Sequence, residues 1–446
     1  IMKIYLLSIW LFCTLPLFSQ DITGIWYGYP DLKTHRLRLI IELQQQKDVC
    51  SATLKIPDLS DRIYPATKAD FINTPFNLEF PDADISCQIN RQTDKQLHGT
   101  LTQDGYTFPL ILSRQPVVFH RPQTPRPPFP YRSEEVTFRN EAAGITLAGT
   151  LTLPLTPTTK KAVLFISGSG PQDRDNTFHE HKTFLVIADY LARNGIASLR
   201  VDDRGTGAST GNFNASGLPD FETDAYTALQ YLKQRPEIRP DSIGIIGHSE
   251  GAFIAFSLAA RKEVAFIITL AGGGVNGSEL LLLQRAALLR ASGAKEEFIN
   301  TYNQYMQQAQ EIVLQTADAQ TCERKLTELF AGTPLAGQAS ETTRQLYNPG
   351  KIELLKYDPE WDFPEITCPV LALNGDKDCQ VPVENLTYIH KGITTNGNLQ
   401  VTTIAYPGLN HMFQTADKGL PVEYSDIEET ICPKVTKDII KWIKAQ

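Results

Sequence analysis

Gly247-His248-Ser249-Glu250-Gly251 sets a serine between two closely spaced glycines. A serine hydroxyl is a weak nucleophile unless it stands clear of the backbone, beside a base and at the positive end of a helix. The run 243–246 before it is short, apolar and rich in β-branched residues, as in a buried strand. The run 252–260 after it is rich in Ala and Phe and free of Gly and Pro, as in a helix. A sharp turn between the two would project Ser249 as a nucleophile, with the glycines leaving room for neighbouring chain.

Such a serine needs a base, and the base needs a carboxylate to set its tautomer. The expected order along the chain is Ser, acid, His. His411 lies in Tyr406-Pro407-Gly408-Leu409-Asn410-His411, a loop after a predicted strand. Of the eight histidines, His35, His98 and His120 precede the catalytic region, His248 is fixed beside the serine and His390 falls in a predicted helix; His179 and His181 remain weaker competitors. Two carboxylates compete for the third role. Asp376 directly follows Gly375 and suits a turn brace, whereas Asp378 stands further out on the loop, before Val381-Pro382. The oxyanion of an acyl transfer needs two backbone donors. One is expected from Glu250. The other is expected from the loop Ser167-Gly168-Ser169-Gly170-Pro171, with Ser169 as the donor. A phosphate-cradling role for that loop is disfavoured because the Gly-Lys-Ser/Thr ending is missing.

The elements that must position these residues follow from the order of patterns. From 162 onward, strand and helix alternate: 162–166, 182–193, 197–201, 221–233, the serine strand and helix, and 265–270. That alternation predicts a mostly parallel sheet covered on both faces, with catalytic loops at the carboxyl ends of its strands. A helical stretch rich in Leu, Ala, Gln and Glu, about 275–362, interrupts it as a cap. The pattern resumes with 370–373, a helix 384–390, strand 399–405 and a last helix 433–444 whose first turn holds Pro433.

Before this region, 21–115 alternates in short strands broken by Asp, Asn, Gly and Pro, as in a small antiparallel barrel or sandwich. Prolines 116, 122, 125, 127, 128 and 130 mark 116–134 as an extended linker, leaving 135–446 as the catalytic domain. The small module carries no catalytic constellation, so docking or substrate presentation is its expected role.

At 446 residues with net charge −8 and no basic cluster, the chain does not resemble a nucleic-acid reader. Residues 1–20 combine one lysine, a short apolar run and small residues near its end, as in a secretory signal peptide. No second long apolar run follows, so the mature protein is expected to be exported, periplasmic or extracellular, without stable membrane insertion. Cys50, Cys87, Cys322, Cys368, Cys379 and Cys432 would remain; Cys50 and Cys87 share one module and are open to pairing or to staying as thiols. No zinc-type cluster is expected, nor any organic cofactor.

The ordered pieces 167–175, Asp202-Asp203-Arg204-Gly205-Thr206-Gly207, Gly247–Gly251, the Asp378 loop and His411 resemble the α/β-hydrolase superfamily. The details are similar to secreted bacterial serine esterases with an N-terminal β module. The opening Gly24-Ile25-Trp26 likewise resembles the start of lipocalin-like barrels. The resemblance implies an α/β-hydrolase sheet with a helical cap, preceded by a small all-β domain. It further implies Asp378 as the acid, with Asp203 and Arg204 bracing the floor of the site or forming a structural ion pair. Ser167, where many esterases have His, is the departure. The expected activity is hydrolysis of a small-molecule or glycan-linked ester through an acyl-enzyme. The rivals are a serine peptidase of the same fold and a binding protein with a vestigial hydrolase.

Overall fold

The computed structural model describes residues 22–30, 37–47, 49–57, 62–71, 75–103, 105–156 and 160–446. The expected signal segment 1–20 lies outside the described residues. The chain divides between Val118 and Phe119 into two compact units.

The first unit is a nine-stranded antiparallel sheet. In spatial order its strands are Ile63–Pro65, Val49–Lys55, Leu39–Gln46, Gly24–Pro30, Tyr106–Ser113, Gln96–Gln103, Ile85–Arg91, Phe76–Phe80 and Lys68–Asp70. Leu39, Ile41 and Leu43 alternate inward, as do Phe76, Leu78 and Phe80, and Ile85, Cys87 and Ile89, because side chains two apart share a face. Trp26 is fully buried among them, its indole N–H donating to Ile22 O at 2.8 Å and the Arg114 guanidinium lying 3.8 Å from the ring centroid. The end strands Ile63–Pro65 and Lys68–Asp70 follow one another in the chain, and the N–H groups of Ala66 and Thr67 between them donate to Ala52 O and Glu79 O at 2.9 Å, so one segment borders both ends of this half-barrel sheet. Cys50 and Cys87 sit on strands separated by four others, and all six cysteines among the described residues are free thiols.

The second unit is built on eight strands: β1 (Tyr131–Asn140), β2 (Ile145–Pro154), β3 (Ala162–Ile166), β4 (Ala197–Val201), β5 (Ile243–His248), β6 (Phe266–Leu270), β7 (Val370–Gly375) and β8 (Val401–Tyr406). Their order is β1-β2-β4-β3-β5-β6-β7-β8; β1 and β2 are antiparallel and every pairing from β4 onward is parallel. This is the α/β-hydrolase sheet. Strands β3, β5, β6 and β7 are buried at every position, as expected for strands covered on both faces. On one face lie α2 (Leu218–Lys233) and α3 (Gly251–Ala260); on the other lie α1 (Thr183–Arg193) and α10 (Pro433–Ala445).

Between β6 and β7 the chain makes α4 (Gly277–Ala291), α5 (Glu296–Gln315), α6 (Ala319–Phe330), α7 (Ala339–Leu346) and α8 (Pro349–Lys356). α5 buries Ile299, Met306, Ala309 and Val313, a helical stripe whose last three members join the core of the α2–α3 face. Asn276, Asp318 and Asn348 cap α4, α6 and α8 by accepting from backbone N–H groups. α9 (Asn385–Thr394) connects β7 to β8.

One boundary differs from the sequence pattern. Tyr131–Glu134, assigned to the linker, pair with Leu151–Pro154 and begin β1, since Pro130 is the last proline before it. The proline-rich stretch ahead of it is irregular yet anchored. Arg121, only 8% exposed, donates to the carbonyls of His179, Ser425 and Ile427, and the Gln123 side chain bonds Thr430 and Ile431.

Candidate active site

β5 ends at His248 and α3 starts at Gly251, so Ser249 occupies the turn between them. Its φ is +53°, a left-handed conformation that costs a non-glycine residue on the order of 1 kcal/mol and is held by the surrounding structure. Ser249 N–H donates to Leu270 O at 2.8 Å, which ties the turn to β6. The flanking glycines are required by space. A β-carbon at Gly247 would stand 2.4 Å from Gly251 O, and one at Gly251 would stand 2.5 Å from both Ile166 O and Ser167 O. The helix after Ser249 is therefore pressed against the end of β3, and its amino end faces the 167–175 loop.

His411 and Asp378 come from the carboxyl ends of β8 and β7. His411 Nδ1 lies 2.8 Å from Asp378 Oδ2, with the two side chains 5% and 0% exposed. The other carboxylate oxygen of Asp378 accepts from Gln380 N at 2.7 Å and Val381 N at 2.8 Å. Asp376 instead accepts from Gly408 N at 2.7 Å, closing the turns after β7 and β8 against each other. Of the two competing carboxylates, Asp378 is thus the one against the imidazole. The His411 loop is wound around Asn410, which is fully buried and whose side-chain oxygen accepts from Met412 N and Gln414 N. Sequence patterns do not single out Asn410; its position immediately before the histidine was the available signal.

His248 joins the serine turn to this loop. Its ring centroid lies 4.8 Å from that of His411, and its Nε2 is 3.3 Å from His411 O. Complete burial and the neighbouring His411 push its pKa down to about 3, so it is a neutral N–H donor to that carbonyl. Ser249 Oγ makes no hydrogen bond among the described residues; a serine–histidine hydrogen bond in such sites often tightens only with substrate bound. His181 is buried elsewhere, bonded to Thr430 Oγ1 and Tyr424 O, and burial lowers its pKa to about 4. His179 gives its backbone carbonyl to Arg121.

The loop after β3 is held from β4. Asp203 Oδ1 accepts from Ser167 Oγ at 2.5 Å and Oδ2 from Gln172 N at 2.9 Å. Burial pushes the Asp203 carboxyl up to about 7, with Asp224 and Glu250 adding to the rise against these two donors. Asp202 takes Arg174 N–H at 2.8 Å and the Arg174 guanidinium at 2.6 Å. Asp203 and Arg204 are not an ion pair with each other. Arg204 turns to α2, where it meets Asp224 at 2.6 Å and Asp220 at 3.1 Å. A β-carbon at Gly168 would stand 3.0 Å from Ser249 Cβ, so the loop backbone passes directly by the serine. Ser169 is exposed; its hydroxyl donates to Glu250 Oε2 at 2.5 Å, clamping the loop to the residue after Ser249. A cavity of about 60 Å³ adjoins this loop, lined by Gly168, Asp203, Glu250, Phe213, Phe221 and Ile254 among others.

A serine on a strained strand-to-helix turn, a histidine paired through Nδ1 to a buried carboxylate, and a glycine-rich loop against the serine can together perform acyl transfer. Esterase EstD of Thermotoga maritima is 24% identical over 298 residues, covering 67% of this chain; the chain spans 65% of that esterase's length. An acyl transferase of Photobacterium leiognathi is 34% identical over 90 residues, 20% of this chain and 28% of its own. Among solved structures, the α/β hydrolase GrgF from Penicillium sp. sh18 aligns with a TM-score of 0.46 at 17% identity, over 70% of this chain and 98% of its own. The model of the family described as X-Pro dipeptidyl-peptidase (S15 family) matches residues 102–408, well over half of the sequence. The chain belongs to that family.

Proposed function

We propose that the protein is an exported serine carboxylesterase that hydrolyses acyl esters through a covalent acyl-enzyme. The observation that carries the reading is the His411–Asp378 pair at 2.8 Å on the strand ends beside a serine held at positive φ. With Nδ1–H directed at Asp378, His411 presents Nε2 as the base.

In this mechanism Ser249 Oγ attacks the ester carbonyl carbon while Nε2 takes its proton. The carbonyl oxygen, now an anion, is met by the backbone N–H groups of Ser169 and Glu250. The imidazolium, stabilised by Asp378, returns the proton to the departing alkoxide as the C–O bond breaks. Water then adds to the acyl-serine with the same base, releasing the acid and restoring Ser249. No step calls for a metal or organic cofactor. Export rests on the sequence of residues 1–20.

A serine peptidase reading uses the same residues and is favoured by the family match alone. The separating experiment is burst kinetics with short and medium p-nitrophenyl esters beside aminoacyl nitroanilides, on the parent protein and Ser249→Ala, with mass spectrometry for an acyl adduct. Ester turnover with an adduct on Ser249 supports the esterase. Faster anilide cleavage supports the peptidase, and no turnover of either leaves a binding protein.

A further inference from the structure

A second cavity, of about 140 Å³, opens where α2, α3, α8 and the turn after α8 meet. None of the Ser249, His411 or Asp378 side chains lines it. Its walls include three aromatic rings in series. Phe253, buried in α3, lies 4.6 Å from Tyr357; Tyr357 in turn meets the edge of Trp361 at 6.2 Å and 73°. Trp361 lines the cavity with 67% of its surface still in water, an expensive position for an indole that packs against nothing further.

The two carboxylates that line the cavity, Glu222 and Glu353, are each paired with a cation. Glu222 pairs with Arg261 at 2.6 Å and Glu353 with Lys356 at 2.9 Å. Asp362 accepts from the Tyr357 hydroxyl at 2.6 Å, and burial raises its carboxyl above the usual range. A quaternary ammonium or amine would find no uncommitted carboxylate to neutralise it. An anion would find both of the cations, Arg261 and Lys356, already paired. A ligand with one apolar face and a rim of hydroxyl donors fits instead: the face covers the indole, and the hydroxyls use the remaining lone pairs of Glu222 and Glu353. A pyranose ring has that form.

We propose that this cavity binds one pyranose unit of a neutral oligosaccharide, with Trp361 as the stacking platform. The site is separate from the ester chemistry and does not require it. It would hold carbohydrate on the catalytic unit itself.

The test is a titration of the full chain with xylohexaose and with cellohexaose, followed by tryptophan fluorescence, with saturation-transfer NMR naming the contacted sugar protons. A saturable change in the parent protein is expected for at least one sugar, weakened about tenfold or more in Trp361→Ala. Glu353→Gln, which keeps the side chain's shape, is expected to weaken binding to a smaller degree. Hydrolysis of p-nitrophenyl acetate should stay within about twofold of the parent in both variants, because neither residue touches the acyl-transfer site. That readout keeps failure of the sugar site distinct from failure of the esterase reading. No saturation by either sugar up to about 20 mM, or equal binding by Trp361→Ala, overturns the proposal. So does a Trp361-dependent response to tetramethylammonium with none to sugar.

Discussion

Asp378 divides its two carboxylate oxygens between different tasks: Oδ2 faces His411 Nδ1 at 2.8 Å, while Oδ1 is held by the N–H groups of Gln380 and Val381. An aspartate fixed at one oxygen by its own loop can aim the other. Asp378→Asn keeps the shape but presents an amide to the imidazole and favours the wrong tautomer. The expected result is a loss of roughly 10³- to 10⁴-fold in kcat for p-nitrophenyl acetate, with the melting temperature changed by only a few degrees. Asp376→Asn, which leaves the His411 pair intact, should cost far less activity. Parallel steady-state kinetics on the two variants would check the contrast.

Gly251 has two carbonyl oxygens where a β-carbon would go. Gly251→Ala must push α3 away from the end of β3, so a destabilisation of about 1–3 kcal/mol is expected, together with lost turnover from a displaced Ser249. Chemical denaturation reads the first effect and an ester assay the second. An alanine variant as stable as the parent would mean the helix can shift freely.

Asp203 binds its proton more tightly folded than unfolded, since burial raises it to about 7. Its stabilising contribution is therefore present at acid pH and is lost as pH rises through about 7. Asp203→Asn removes that titration. Relative to the variant, the parent should lose melting temperature between about pH 4 and 7, measured by scanning calorimetry at several pH values. The reverse slope would show that the Ser167 and Gln172 donors outweigh burial.

His248 and His181 have the opposite sign. Both are held neutral by burial, at about 3 and about 4, so their contribution is complete above the ordinary histidine range and is lost as pH falls toward those values. The second unit should thus lose stability on acidification from about pH 6 to 4. His181→Gln, able to keep bonds to Thr430 and Tyr424, should flatten part of that loss. Tm against pH for parent and variant gives the comparison.

The turn at Ser249 and the pairing of His411 with Asp378 were legible because each sits at a strand end marked by local sequence: an apolar run, then glycine, then a polar residue. The parallel sheet was legible for the same reason. What was not legible depends on distance. Arg204 finds Asp224 twenty residues away on α2, and its neighbour Asp203 turns the other way to Ser167, so their adjacency in sequence misdirects. Asn410 winds the histidine loop by bonds that exist only once the loop is closed. That the short segment 63–70 borders both ends of the first sheet is invisible in strand periodicity, which fixes which side chains share a face and not which strands pair.

The clasp made by Arg121 and Gln123 bears on where the chain can be cut. Both lie upstream of β1, in proline-rich sequence that reads as dispensable spacer, yet they bond residues 425–431, just before α10. A hydrolase fragment starting at Tyr131 would strand those carbonyls and expose α10 to fraying. One starting at Phe119 would keep its own closure, making this twelve-residue leader the difference between a fragment that survives protease and one that does not.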